Sequence, residues 1–208
     1  MDISRIRLKI ISRLKSYSQA GQDLFVMSLF EKGYHGTFVD VGCQLPDTIN
    51  NTYLLEKNGW SGLSLDIIDY SKEWAKRKSK FVCGDALTSD FRKLFEDAGL
   101  PGTIDYLNVD IEGEGLRYKA LENVMASGHA FKVITIEHDA YRGYALTERE
   151  PQRKLLNSMG YLLLCGDVVN GNRPYEDWWI NPVYFKESEY MHYKCSNTHH
   201  IDILKKRI

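Results

Sequence analysis

The sequence predicts an α/β protein built on a doubly wound, mostly parallel β-sheet of seven strands, with helices on both faces of the sheet. Short β-branched or apolar runs alternate with helical stretches from residue 36 onward, as in successive right-handed β-α-β units. The runs VITI and YLLLC, within residues 131–137 and 161–165, are apolar without alternation. Such runs are typical of parallel strands that helices cover on both faces.

Each expected strand is a short run of β-branched, aromatic or aliphatic residues, and several of these runs end at a glycine or a polar residue. The first run, TFVDV, ends at Gly42, and the third, KFVC, is followed by Gly84-Asp85. The fifth run, FKVITIE, is rich in β-branched residues. The seven expected strands span residues 37–41, 62–67, 80–83, 104–110, 131–137, 161–165 and 181–185.

Glycine, proline and capping signals bound the helices between these strands. Asn58-Gly59 stops the first helical stretch, and Gly99 followed by Pro101 stops the third, in the usual C-terminal order. Thr147 and Glu150 have the spacing of a capping box and open the last helix. The five expected helices span residues 50–58, 71–78, 89–98, 115–126 and 147–159.

Length and composition indicate one domain over residues 16–208 of the 208-residue chain. The formal net charge of −1 gives no basic excess for a nucleic-acid backbone, so a nucleic-acid partner is not expected. We recognise no signal peptide and no apolar run long enough to cross a bilayer, which favours a cytoplasmic protein without a transmembrane segment. The four cysteines form no C-x-x-C pair, which argues against a zinc ribbon.

Residues 1–15 form a basic segment ahead of this domain. Ile3, Ile6, Ile10 and Leu14 recur at helical spacing with arginine and lysine between them, which predicts an amphipathic helix. This helix either packs on its own domain and exposes its charges, or contacts an anionic membrane surface or a partner protein. The sequence leaves the oligomeric state open, a homo-oligomer included.

Polar residues follow five of the expected strands, at the end where ligands bind in sheets of this class. Gly42 permits a tight turn and a close approach of the backbone to a ligand. Asp66 is placed to accept hydrogen bonds from ribose hydroxyls, and Asp85 to accept one from an adenine amino group. Asp110 ends the fourth strand, and residues 137–139, Glu-His-Asp, end the fifth. Any one of these carboxylates alone is typical of a solvated surface, but five such strand ends together predict one concave site.

Four stretches of the chain match a known family in order and spacing. They are YSQAGQD (17–23), FVDVG with NNTYLLE and GWSG (within 38–62), IDYLNVDIEG (104–113) and IEHD (136–139). On these residues the chain resembles the FkbM-type family of S-adenosylmethionine-dependent methyltransferases, over residues 17–139. The resemblance implies a Rossmann-like fold and methyl transfer from S-adenosylmethionine to a hydroxyl of a sugar or another small polar acceptor.

The resemblance also implies a cofactor site. Asp40 and Gly42 would border the methionine and ribose portions, Gln22 and Asn51 would form walls, and Gln19 would close the site. The complete expected set is Gln22, Asp40, Gly42, Cys43, Asn51, Asp66, Ile67, Asp85, Ala86 and Asp110. The loop CQLPD after Gly42 lacks the second glycine usual in such families. A binding or assembly protein with weakened or lost cofactor binding is therefore an alternative.

A hydroxyl acceptor becomes a good nucleophile only when it loses its proton. His138 is the expected general base, because an ordinary imidazole titrates near neutral pH, and Asp110 would orient the imidazole or take the proton itself. An N-methyltransferase acting on a small amine needs no strong base and stays open. A nicotinamide-dependent dehydrogenase is disfavoured, because no G-x-G-x-x-G follows the first strand.

A divalent metal and an aromatic lid are two further hypotheses. Magnesium or manganese would suit oxygen ligands with one imidazole, although we favour a pocket without metal. The segment RPYEDWWINP, residues 173–182, carries Trp178 and Trp179, which either stack on the acceptor or pack beneath a loop. The residues that would hold the metal are Asp110, Glu112, Glu137, His138 and Asp139.

Overall fold

The computed structural model describes residues 15–206, which form one eight-stranded sheet with helices packed against it. The strands are β1 (Thr37–Val41), β2 (Ser61–Asp66), β3 (Lys80–Cys83), β4 (Thr103–Val109), β5 (Ala130–Glu137), β6 (Leu162–Asn170), β7 (Arg173–Ile180) and β8 (Cys195–Ser196). The α-helices in this range are α1 (Gln22–Leu29), α2 (Tyr53–Lys57), α3 (Ser71–Trp74), α4 (Phe91–Asp97), α5 (Leu116–Met125), α6 (Glu150–Ser158), α7 (Glu187–Tyr190) and α8 (His200–Lys205). Apart from Lys15, the basic helix expected over residues 1–15 lies outside the described residues.

The strand order is β3-β2-β1-β4-β5-β7-β6-β8. The central strand β1 is parallel to both neighbours, and Phe38 lies opposite Gly62 of β2 and Tyr106 of β4. β7 runs antiparallel to both β5 and β6, and the two-residue β8 is parallel to β6. The predicted α/β class with a mostly parallel sheet is confirmed, with one short strand more than the sequence predicted.

Both faces of the sheet are covered by apolar side chains, as the runs without alternation predicted. On one face, Val39 and Leu107 pack with Phe95 of α4 and Leu121 of α5. On the other face, Phe38 and Tyr106 pack with Phe25 of α1 and with Trp60, Trp178 and Tyr193. Successive strand residues therefore alternate between two buried layers, so each strand lacks a polar side along most of its length.

The seventh strand lies at Arg173–Ile180, so the strand predicted at residues 181–185 is wrong. Residues Pro182–Tyr184 form a 3₁₀ turn instead, in which the Asn181 side chain accepts a hydrogen bond from the Val183 amide. Trp178 and Trp179 lie within β7 and are fully buried, one in each apolar layer. They are therefore part of the core and do not form the lid that one sequence hypothesis considered.

The five predicted helices agree in position with α2 to α6, which are shorter, whereas α1, α7 and α8 were not predicted. The helix expected over residues 50–58 begins only at Tyr53, because the Asn50 side chain accepts a hydrogen bond from the Thr52 amide and holds a turn there. The helix expected from Thr147 starts as a π-helical turn, Ala145–Arg149, before α6. Among the described residues, no helix is both long and apolar enough to cross a membrane.

Candidate functional site

Asp40 is a buried carboxylate on the central strand, and neighbouring side chains hold it in place. Its Oδ1 accepts a hydrogen bond from Asn108 Nδ2 at 2.9 Å, and its Oδ2 accepts one from Thr52 Oγ1 at 3.2 Å. Asn108 is held in turn by Thr135, whose hydroxyl donates to its Oδ1 at 2.8 Å. Burial raises the pKa of Asp40 to about 6, although the bond from Asn108 acts to lower it. Burial disfavours the charged form of Asp40, and the hydrogen bonds from Asn108 and Thr52 help to stabilise its negative charge.

Gly42 is required by the backbone at the end of β1. Its φ is +83°, and a Cβ added there would lie 1.9 Å from the carbonyl oxygen of Asp110. Its amide donates to the Leu65 carbonyl oxygen at 2.8 Å. The β1 turn and the end of β4 therefore approach each other more closely than any side chain would allow.

The loop after Gly42 is fixed without a second glycine. Gln44 adopts the left-handed conformation at φ 48° and donates its amide to Asp66 Oδ2 at 2.8 Å. Its carbonyl accepts from Trp74 Nε1 at 2.8 Å, and the Asn50 amide group donates to the Cys43 carbonyl at 3.1 Å. These bonds hold the loop in the conformation that a glycine would otherwise favour.

A cavity of about 160 Å³ opens at this edge of the sheet. Five of the sequence-predicted residues line it, namely Asp40, Gly42, Cys43, Asn51 and Asp110, together with Gln19, Gln44, Ile49 and Asn108. Burial raises the pKa of the Cys43 thiol, which keeps it protonated. The Oδ1 atom of Asn51 is buried and has no hydrogen-bond partner within residues 15–206. An unpaired buried carbonyl oxygen of this kind is free to accept a donor from a ligand.

The other predicted cofactor residues do not line this cavity. Asp66 ends β2, and its two oxygens accept from the amides of Gln44 and Ile68. Ile67 beside it is 70% exposed, so it is free to cover a ligand at the surface. Asp85 and Ala86 follow the adjacent strand β3, and Asp85 accepts from the Leu87 amide at 2.8 Å. These four residues extend the same strand-end edge beyond the cavity.

Gln22 ties the N-terminal segment to β7. Its Oε1 accepts from the Ala20 amide at 2.9 Å, and its Nε2 donates to Tyr175 Oη at 3.1 Å and to Glu176 Oε2 at 3.0 Å. Burial raises the pKa of Glu176 to about 7, against the hydrogen bonds from Trp178, Gln22 and Tyr175. Gln22 therefore supports the wall of the site, and its side chain is fully engaged by the protein.

His138 is fully buried and lines neither this cavity nor the second one described below. Its Nδ1 accepts from the Ala140 amide at 3.1 Å, and its Nε2 lies 3.4 Å from Asp177 Oδ1 and 3.7 Å from Asp167 Oδ1. Arg153 binds Asp177 through two bonds of 2.7 and 2.8 Å. The structure thus separates His138 from the strand-end residues with which the sequence grouped it.

His138, Asp167 and Asp177 are arranged as metal ligands could be, but two arginines already pair with the two acids. The imidazole, Asp167 and Asp177 offer ligand atoms within 4.8 Å of one another. Arg153 and Arg149 each pair with Asp167 at 2.9 Å, and Arg153 also pairs with Asp177. Two guanidinium groups therefore neutralise the two carboxylates, which disfavours a divalent cation. Of the five ligands that the sequence suggested, only His138 belongs to this grouping.

A second cavity, of about 450 Å³, shares Gln19 with the first. Its other lining residues are Glu137, Tyr141, Asn170, Gly171, Asn172, Arg173 and Tyr175. The sequence did not indicate this cavity, because most of these residues belong to the turn between β6 and β7 and to the strand that was misplaced. The sequence NGNR at residues 170–173 is polar, but this composition is typical of turns in general and does not indicate a binding site.

Glu137 and Asp110 join the two cavities. Asp110 lines the first, Glu137 lines the second, and their carboxyl groups are hydrogen-bonded to each other. Burial raises the pKa of both carboxyl groups, and the neighbouring charge of Asp110 helps to raise that of Glu137 to about 9, so the pair holds a proton at neutral pH. Arg117 braces Glu137 with a contact of 2.6 Å to its Oε2. An acid pair with one proton therefore lies between the cavities.

No protein-family model matches the sequence, and no curated protein matches it either. Several solved structures are similar. A protein in the NADB-Rossmann superfamily from Streptococcus agalactiae has a TM-score of 0.52 at 16% identity, over 81% of this chain and 70% of that one. The O-methyltransferase from Bacillus cereus, solved in complex with SAH, has a TM-score of 0.51 at 12% identity, over 86% and 91%.

The N-methyltransferase NodS from Bradyrhizobium japonicum, solved with S-adenosyl-L-homocysteine, has a TM-score of 0.51 at 11% identity, over 87% of this chain and 100% of that one. At such identities the similarity concerns the fold alone. The chain has the Rossmann-like α/β fold, with a mostly parallel sheet, that these proteins share.

Proposed function

We propose that the protein is an S-adenosylmethionine-dependent methyltransferase that methylates a hydroxyl group of a sugar or another small polar acceptor. The observation that carries the proposal is the pair of adjoining cavities with the Asp110–Glu137 acid pair between them. The FkbM-type sequence motifs support it. The O-methyltransferase and the N-methyltransferase named above, both solved with S-adenosylhomocysteine, add support through their shared fold.

The residues of the first cavity fit the cofactor. The unpaired Oδ1 of Asn51 suits the ammonium group of the methionine portion, which would supply the missing donor. The turn at Gly42 leaves room for a ligand to approach the backbone closely. Asp66 and Asp85, farther along the edge, suit the ribose hydroxyls and the adenine amino group. When bound, the cofactor would supply an electrophilic methyl group on a sulfonium sulfur.

The acid pair suits the proton chemistry of a hydroxyl acceptor. Asp110 borders the cofactor cavity and receives a hydrogen bond from Glu137, so it is the carboxylate that would accept the hydroxyl proton. Glu137 stays protonated and orients Asp110, while Arg117 holds Glu137. This geometry favours Asp110 over His138 as the base, because His138 is buried away from both cavities.

The alternative of a binding protein without the cofactor rested on the missing second glycine. Gln44 adopts the left-handed conformation itself and is held by Asp66 and Trp74, so the loop does not need that glycine. The observed loop therefore removes the reason for preferring that alternative. An amine acceptor would need no base, so under that hypothesis Asp110→Asn would keep most of its activity.

Calorimetric titration with S-adenosylhomocysteine tests the proposal. We expect the wild-type chain to bind it and Asn51→Ala to bind it about tenfold more weakly, since a hydrogen bond to a charged group is lost. The same variant should unfold at an unchanged or higher temperature, because it removes an unpaired buried oxygen. Asn157→Ala, an exposed change on α6, is the matched control and should bind normally. No heat with the wild-type chain, or equal affinity in the two variants, would refute the proposal.

A further inference from the structure

The turn between β6 and β7 gives the second cavity its chemical character. Asn172 of this turn and the flanking strand residues Asn170 and Arg173 line the cavity, and Tyr141 lines it from the segment after β5. Amide, guanidinium and aromatic groups are the side chains with which proteins bind polar small molecules. The cavity volume of about 450 Å³ lies within the range of sites that bind small molecules. A macromolecule would not fit into a cavity of this size.

Arg173 is a cation without a carboxylate partner in the described part of the chain. It is exposed, and its guanidinium lies 5.3 Å from the centre of the Tyr141 ring. Arg142 lies over the same ring at 5.5 Å, but its Nε is 3.1 Å from Asp139 Oδ2. The ring thus supports two guanidinium groups, and of these two only Arg142 pairs with an acid, Asp139, which Arg117 also contacts.

The single carboxyl group that lines this cavity, Glu137, does not neutralise Arg173. Glu137 is hydrogen-bonded to Asp110, and its Oε2 lies 2.6 Å from Arg117 Nη2, so its carboxyl group is already engaged by other residues. The cavity therefore presents, at Arg173, a guanidinium group without a carboxylate partner among the described residues and, at Glu137, an acid that Arg117 already binds. A guanidinium that stacks on an aromatic ring keeps its N–H groups free to bind a carboxylate or a phosphate.

We propose that the acceptor is an anionic sugar-sized molecule, whose carboxylate or phosphate group binds Arg173 while a hydroxyl group reaches Glu137 and Asp110. This inference rests on the proposed function and names its substrate class. The anion is held by the turn between β6 and β7, and the reacting hydroxyl lies where the two cavities meet. Both ends of the acceptor would thereby be held, one by Arg173 and the other by Glu137, which line the same cavity.

Three probes with the same sugar ring separate the contribution of the charge from that of the sugar. Glucose 6-phosphate, glucuronate and uncharged glucose are titrated calorimetrically into the full chain at neutral pH and low salt, with saturating S-adenosylhomocysteine. We expect at least one charged sugar to bind about tenfold more tightly than glucose, because hydrogen bonds to charged groups are the stronger ones. The tighter of the two identifies phosphate or carboxylate as the preferred anion.

Two arginine variants assign that preference to one side chain. Arg173→Gln should remove the tenfold preference and leave binding of S-adenosylhomocysteine unchanged, because Arg173 does not line the first cavity. Arg142→Gln, the neighbour already paired with Asp139, is the matched control and should keep the preference. Equal binding of charged and uncharged sugars, or an Arg173→Gln variant that keeps the preference, would overturn the inference.

The same titrations separate this inference from the function on which it rests. If S-adenosylhomocysteine binds while charged and neutral sugars bind alike, the methyltransferase proposal stands and the anionic acceptor is refuted. If S-adenosylhomocysteine does not bind, the methyltransferase proposal fails, and the anionic acceptor fails with it. A wild-type chain that binds both, with a preference lost only in Arg173→Gln, supports the complete scheme.

Discussion

Gly42→Ala tests the close backbone contact beside the first cavity. The new Cβ would lie 1.9 Å from the Asp110 carbonyl oxygen and 2.6 Å from its carbon, and neither backbone atom can move without displacing β4. An alanine at positive φ costs about 1–2 kcal/mol of the free energy of unfolding. Overpacking adds about 1–3 kcal/mol. We therefore expect a total loss of about 2–5 kcal/mol.

Gly33→Ala separates the two contributions. Gly33 has nearly the same φ, +81° against +83°, but an added Cβ would meet nothing within 4 Å. This control should lose only about 1–2 kcal/mol, measured by urea unfolding followed by circular dichroism. Calorimetry with S-adenosylhomocysteine should show weaker binding in Gly42→Ala alone, because only that change displaces Asp110. Equal stability and equal affinity in the two variants would refute the account of this contact.

Two further predictions concern the buried polar groups. Folding raises the pKa of Glu137 from 4.5 to about 9, so between these pH values the folded state holds a proton that the unfolded state has lost, and the free energy of unfolding falls as the pH rises. Glu137→Gln should reduce this fall between pH 7 and 9, measured by urea unfolding at each pH. An unchanged dependence of the free energy of unfolding on pH would contradict the proton shared with Asp110. Trp178→Phe should cost about 2 kcal/mol more than Trp179→Phe, because Trp178 Nε1 donates to Glu176 at 2.6 Å whereas Trp179 Nε1 has no partner among the described residues. Equal losses in the two variants, measured by urea unfolding, would contradict that assignment.

The parallel part of the sheet could be predicted because its signals are local. The strands at residues 37–41 and 80–83 agree in both bounds with β1 and β3, since each is a short run closed by a glycine turn. The rule that ligands bind at the carboxyl ends of parallel strands then located Asp40, Gly42 and Asp110 at one cavity.

The antiparallel part could not be predicted in the same way. The run YEDWWI contains two acids, a residue type that is rarely buried, yet Glu176 and Asp177 are buried in β7. Their partners are distant in sequence, Gln22 for Glu176 and Arg153 for Asp177. The residues next to the two acids therefore do not predict that the acids are buried. The second cavity was missed for the same reason, because its turn is positioned only when β7 inserts between β5 and β6.

His138 shows how sequence proximity misleads. It directly follows Glu137, which lines a cavity, but the chain direction changes at Asp139, whose φ is 46°. The imidazole is consequently turned toward Asp177 and away from Asp110. Adjacent residues at a strand end point to opposite faces, so only one of the pair can reach the ligand.

The connection between β6 and β7 is only two residues long, Gly171 and Asn172, and lies at the rim of the sheet. None of the backbone groups that shape the Gly42 turn belong to it. Replacement or lengthening of this hairpin loop would thus reshape the second cavity, while the strand-end edge formed by β1 to β4 keeps its shape. Residues of this loop can be exchanged without any change in the two apolar layers, because neither Gly171 nor Asn172 belongs to them.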